Sequence, residues 1–321
     1  MQIFLYILIN NILPIFILIF LGYILDKKFE LNIYTLSKLN FYIFVPIFAF
    51  IQLYSTKLPK EMLKVVIYAI LLLLLNYIIS TLVANLLKFD LPLKNAFKNS
   101  VMFYNSGNIG IPIITLVFSS APFIISGKTP YLNLALTTQI VILVTQNIFT
   151  NTLGFFNASQ GSMHWKDSIK SILGMPTIYA IPLAIILKNS PYNLSESPIW
   201  PALVYAKEGM ISLALITLGV QLSKTKFNFK NSYAYISNVL RLIGGPIIAY
   251  ILITLLNING ITAQALIISS SVPTAVNTAL IAVERNNRPD FASQVVMTST
   301  LFSSITLVFV VYISRILFPI I

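Results

Sequence analysis

Asn105-Ser106-Gly107-Asn108-Ile109-Gly110-Ile111-Pro112 interrupts an apolar run that is otherwise long enough to cross a bilayer. Two glycines and a proline disfavour continuous helix there, and the two asparagines and the serine bring free polar groups. In hydrocarbon, a backbone that leaves the helix strands N–H and C=O groups at a cost of several kcal/mol each, roughly. Such a break is tolerated only inside protein or beside a polar cavity. The stretch therefore reads as half of a substrate site. A second break, Ser269-Ser270-Ser271-Val272-Pro273-Thr274-Ala275-Val276-Asn277, reads as the other half.

Working outward, the composition fits a membrane protein. Of 321 residues, 57% are hydrophobic and 9% charged, against about 25% charged in a soluble domain. The net charge of +12 then belongs to loops facing anionic lipid rather than to a nucleic-acid partner. With no cysteine and one histidine, thiolate metal sites, disulfides and cysteine catalysis are excluded. Nothing in the sequence calls for a cofactor or metal. A membrane enzyme would need a catalytic cluster that these residues do not supply. The start, Met1-Gln2-Ile3-Phe4-Leu5, lacks a basic n-region and reads as a retained first span.

Ten segments are long and apolar enough to span: 3–24, 36–54, 63–87, 95–118, 132–155, 171–187, 202–222, 233–256, 263–283 and 291–318. The breaks fall in the fourth and ninth. Odd-numbered loops carry thirteen Lys and Arg, and even loops with the termini carry six. This bias predicts both termini outside, and the loop with His164 and Trp165 in the cytoplasm. Pro14 and Pro176 lie 162 residues apart, and Pro112 and Pro273 lie 161 apart. Five spans per half is odd, so the second half enters inverted. The predicted fold is an all-α polytopic membrane protein. Its ten transmembrane helices form two inverted five-helix repeats, 1–155 and 171–321, joined by a cytoplasmic linker 156–170, with broken, crossing helices four and nine.

A half-helix that starts after a break presents unpaired N–H groups and a positive dipole end, which favours an anion. Asn105, Asn108, Asn277 and Thr274 can add directed hydrogen bonds. Gly107 and Gly110 allow close backbone approach or positive φ, and Pro112 and Pro273 end the preceding half-helices. Neither break holds Asp, Glu, Lys or Arg, which disfavours proton–cation exchange there. The fifth span is also polar, with Gln139, Gln146, Asn147, Asn151 and Thr152; Asn147 and Asn151 share a helix face. Lys207, Glu208 and Arg241 are the charges expected at depth. Lys207 and Arg241 can reach an interface by snorkelling, which leaves Glu208 as the proton-coupling candidate.

These residues resemble the auxin efflux carrier family. The likeness rests on both break motifs, on Lys38-Leu39-Asn40-Phe41-Tyr42-Ile43-Phe44-Val45-Pro46, on Leu218-Gly219-Val220-Gln221-Leu222, and on Arg241-Leu242 followed by Pro246. It covers essentially the whole chain and extends to bacterial malate or malonate permeases, with a crossover fold shared with bile acid–sodium symporters. It implies a scaffold of spans 1, 2, 6 and 7 and a mobile unit of spans 3–5 and 8–10. Transport of a small organic anion would be elevator-like, with contacts from Asn105, Gln146 and Asn147. A homodimer through the scaffold and a bacterial cytoplasmic membrane are also implied. Sodium-coupled symport is the alternative. The central loop is shorter than in the plant exporters, so their phosphorylation control does not transfer.

Overall fold

The computed structural model describes residues 2–56, 61–159, 166, 170, 173–191, 193–225 and 231–320. Most of the linker 156–170, with His164 and Trp165, lies outside the described residues, as does the predicted start of the sixth span at Ser171. The described chain is mostly helical and has no strand, only isolated bridge pairs.

Among the described residues seven helices are long and apolar enough to cross a membrane: α1 (Gln2–Phe29), α2 (Ile33–Ser55), α3 (Met62–Leu86), α6 (Leu132–Ala158), α8 (Trp200–Lys224), α9 (Ser232–Leu255) and α12 (Pro289–Leu317). The remaining segments are shorter. The predicted fourth span is two helices, α4 (Leu91–Met102) and α5 (Ser106–Phe118). The predicted ninth is also two, α10 (Gly260–Ser270) and α11 (Val276–Glu284). The described part of the sixth is α7 (Pro176–Lys188).

Five wide π turns lie within the described helices, at Leu8–Ile12, Asn40–Phe44, Ser106–Gly110, Thr150–Gly154 and Leu240–Gly244. Four of them end two residues before a proline: Pro14, Pro46, Pro112 and Pro246. Proline cannot donate to the carbonyl four residues back, and its ring crowds that carbonyl. A wider turn relieves the crowding. In three of the turns the amide just before the proline donates five residues back: Leu13 to Leu8, Val45 to Asn40 and Gly245 to Leu240. Buried Asn40 opens one of these turns and buried Arg241 lies in another.

The helices pack in two sets. In the first, α1 packs along α8, and α2 packs against α7 and α8. The α1–α8 contact is close: a Cβ on Gly22 would lie 2.2 Å from the Ile216 carbonyl oxygen, and one on Gly219 would lie 1.9 Å from that of Ile19. At one end of this pair, buried Asp26 accepts from the Ser223 hydroxyl and pairs with Lys224 at 2.9 Å. In the second set, α3 packs against α4 and α6, α5 against α6, α10 against α6, α9 and α12, and α12 against α9 and α11.

Candidate functional site

The two breaks satisfy each other. The Asn105 N–H donates to the Pro273 carbonyl at 2.8 Å, and the Ala275 N–H donates to the Phe103 carbonyl at 2.9 Å. The result is an antiparallel bridge between Tyr104 and Thr274. Four backbone groups of the two breaks thus find partners without water, as a membrane interior favours. Side chains reinforce the junction. The Thr274 hydroxyl donates to the Ser100 carbonyl at 2.8 Å, and the Ser299 hydroxyl accepts from the Thr274 N–H at 3.2 Å. From α6, the fully buried Gln139 amide donates to the Ser106 carbonyl at 2.7 Å.

Both helices that follow the breaks begin at one polar cavity. The first turn of α5 contributes Ser106, Gly107 and Asn108, and the first turn of α11 contributes Val276 and Asn277. Asn105 is the N-cap of α5: its side-chain oxygen accepts from the Asn108 N–H at 3.1 Å. This leaves Asn105 Nδ2, in a residue only 6% exposed, with no hydrogen-bond partner. From α6 come Gln146, Asn147 and Thr150. The buried Gln146 amide lies beside the Tyr104 hydroxyl but makes no well-formed hydrogen bond. The other wall is α2, with Ser37, Asn40, Phe41 and Val45, together with Thr217 of α8. Asn40 Nδ2 donates to Asn108 Oδ1 at 3.0 Å, linking the two sets of helices across the cavity.

The cavity leaves about 80 Å³ for the centres of water-sized groups. One water needs about 10–15 Å³ on that measure, so the room suits a compact ligand. A larger cleft of about 710 Å³ lies further along the same helices. The same helix faces line both. Thr217 gives way to Gln221 and Lys224 on α8, Ser37 to Ile33 on α2, and Val276 to Ala279, Leu280 and Val283 on α11. Spacings of three, four and seven residues keep one face, and seven residues advance about 10 Å. The two cavities therefore lie along the same helix faces, the larger one toward the end of α8 that carries Lys224.

Of the residues singled out in the sequence, Asn105, Gly107, Asn108, Gln146, Asn147 and Asn277 line the cavity together, while Gly110, Pro112, Pro273, Thr274 and Glu208 do not. Several expectations need correction. Neither proline ends the helix before its break, since α4 stops at Met102 and α10 at Ser270. Pro112 lies inside α5, following a π turn that accommodates it, and Pro273 lends its carbonyl to the bridge. Neither Gly107 nor Gly110 has positive φ. Gly110 serves instead to admit Gln139, whose Nε2 would lie 2.3 Å from a Cβ there. Asn151 does not line the cavity; it donates to the Asn147 carbonyl at 2.9 Å. Glu208 is exposed on α8. Arg241 does not snorkel but is 0% exposed.

Asn40, Ser37, Tyr104 and Thr217 joined the site only in three dimensions. The sequence signal for Asn40 was a lone amide six residues before a proline in an apolar run.

Residues 7–311 match the membrane transport protein family. Two archaeal relatives are similar to this chain, and both are named uncharacterized transporters. One, from Methanothermobacter thermautotrophicus, is 23% identical over 311 residues, covering 93% of this chain and 95% of the relative. The other, from Methanocaldococcus jannaschii, is 29% identical over 118 residues, 36% of this chain and 38% of the relative. Family and relatives indicate an integral membrane transport protein rather than an enzyme. This agrees with the sequence resemblance at the level of the family. The chain belongs to the membrane transport protein family.

Proposed function

We propose that this transporter is a secondary carrier for a small organic anion, a carboxylate of the malonate, malate or indole-acetate kind. One observation carries the reading: two helix N-termini converge on a single polar cavity, and Asn105, which lines it, holds a buried amide nitrogen that has no partner. Helix N-termini and amide donors both favour a carboxylate. The compact cavity favours malonate or malate over the larger indole acid.

In this reading spans four and nine cross at the paired breaks, as inverted repeats would bring them together. The α1, α2, α7 and α8 set is the scaffold, and the second set slides along it with the ligand as an elevator. The cavity lies between the two sets and Asn40–Asn108 bridges it by side chains; Asn11–Ser120 and Gln52–Asn133 also join the two sets, away from the cavity. A slide must break the Asn40–Asn108 bond. Cross-linking Asn40→Cys to Asn108→Cys in a chain that has no natural cysteine then stops uptake, and reductant restores it; uninterrupted uptake would sink the elevator.

In this reading the ligand leaves past Gln221 and Lys224 toward the lysine- and arginine-rich side, taken from the charge bias as the cytoplasmic one. A single cysteine at Leu280 is accordingly labelled by an impermeant thiol reagent from that side. The homodimer through the scaffold belongs to the same reading, and chemical cross-linking in membranes checks it.

Uptake of labelled malonate, malate and indole-3-acetate into proteoliposomes tests the carrier. Accumulation of none of them would overturn it. The sodium-coupled alternative needs free carbonyls at the breaks. Those of Ser100, Val101, Phe103, Ser270 and Pro273 already accept hydrogen bonds, which weighs against an ion held there. Strict dependence on a sodium gradient would reverse that judgement.

A further inference from the structure

Arg241 is among the largest fully buried side chains in the described protein, at 0% exposure. It sits in the π turn of α9 ahead of Pro246. Its Nη1 donates to the Val101 carbonyl at 2.9 Å and its Nη2 to the Ser270 carbonyl. These carbonyls belong to the last turns of α4 and α10, the two half-helices that run into the breaks. Glycine is required next to it: a Cβ on Gly245 would lie 2.3 Å from Arg241 Nη2 and 2.9 Å from the Ser270 oxygen. On its other side the guanidinium carbon stands 4.7 Å from the centroid of the Tyr104 ring, and Tyr104 lines the cavity. Among the described residues no carboxylate forms an ion pair with Arg241.

Four helix ends meet at the paired breaks. The ends of α4 and α10 each carry about half a negative charge, and the starts of α5 and α11 about half a positive charge each. Left alone the four nearly cancel, and a ligand between them would gain little from its charge. A guanidinium bonded to both negative ends removes them from the sum. The cavity then faces a net positive charge of about one unit.

Resting on the carboxylate reading above, we infer that Arg241 sets the charge selectivity of the cavity from behind Tyr104, without touching the ligand. It is a positioning and selectivity residue, and its effect falls on anions. A unit charge about 8 Å from a bound monoanion, at an effective dielectric of about 20, corresponds to about 30-fold in affinity.

The test compares anions with neutral isosteres: malonate with malonamide, and indole-3-acetate with indole-3-acetamide, each titrated calorimetrically into purified protein. The wild type binds an acid more tightly than its amide. In Arg241→Met that preference falls by about 30-fold for the monoanion indole-3-acetate and by more for the dianion malonate, while amide binding changes little. Arg241→Lys restores most of the preference, because the charge returns. A full preference in Arg241→Met overturns the inference and leaves the carboxylate reading standing. If the wild type prefers neither acid over its amide, the carboxylate reading falls and this inference with it. Where Arg241→Met does not purify as a single species, Arg241→Lys decides: a folded Lys variant that keeps the preference supports the inference, and one that loses it overturns it.

Discussion

Asn105 does two separable jobs, and two substitutions pull them apart. Its side-chain oxygen caps α5, and its nitrogen, buried and unpaired beside the cavity, is the donor that the proposed carrier would turn to the ligand. Asn105→Ala removes both. Loss of the cap costs about 1 kcal/mol of stability. Loss of a hydrogen bond to a charged ligand costs about 1.5–3 kcal/mol of binding, which is about ten- to hundredfold in affinity at about 1.36 kcal/mol per decade. Asn105→Asp keeps an oxygen for the Asn108 N–H, and aspartate is as good an N-cap as asparagine. It cannot donate when ionised, however, and it repels an anion. The expected pattern is therefore a lowered melting temperature with weak uptake in Asn105→Ala, and a near-normal melting temperature with no uptake in Asn105→Asp. Thermal melts in detergent and initial rates of malonate uptake in proteoliposomes measure the two quantities. Uptake by Asn105→Asp with wild-type KM would refute the reasoning, because the nitrogen would then have no part in binding.

Gly110→Ala places a methyl 2.3 Å from Gln139 Nε2 and breaks the buried bond to the Ser106 carbonyl. A loss of about 1–3 kcal/mol is expected, and an unchanged melt would show that Gln139 can move freely. Thr274→Val deletes the hydroxyl that joins the ninth-span break to the Ser100 carbonyl, for about 1 kcal/mol and with slower uptake; wild-type behaviour in both would make that bond dispensable. Asp26→Asn removes the carboxylate from the Lys224 pair. Lys224 is partly exposed, so the cost is about 1 kcal/mol rather than that of a fully buried pair, and it should shrink little in high salt because Asp26 itself is buried. A melting curve at low and high ionic strength checks this.

Composition and helix-breaking are local properties, so the sequence by itself determined that the chain lives in a membrane and where two of its spans fail to be helical. It also determined that these failures carry donors and no fixed charge. Pro112 shows the limit of local reading. A proline signals that the helix must adjust, but not whether it ends there or widens by a turn. That choice depends on whether the displaced backbone groups find partners, and for the Asn105 N–H and the Phe103 carbonyl the partners lie about 170 residues away. Only the tertiary structure joined the two breaks through backbone bonds. Only it brought Asn40 and Thr217 from other helices to face them, and set Arg241 against the closed ends of two half-helices. A cavity is a property of several faces at once, whereas sequence periodicity describes one helix at a time. The charge that matters most to the site stands behind it, 137 positions along the chain from the tyrosine it touches.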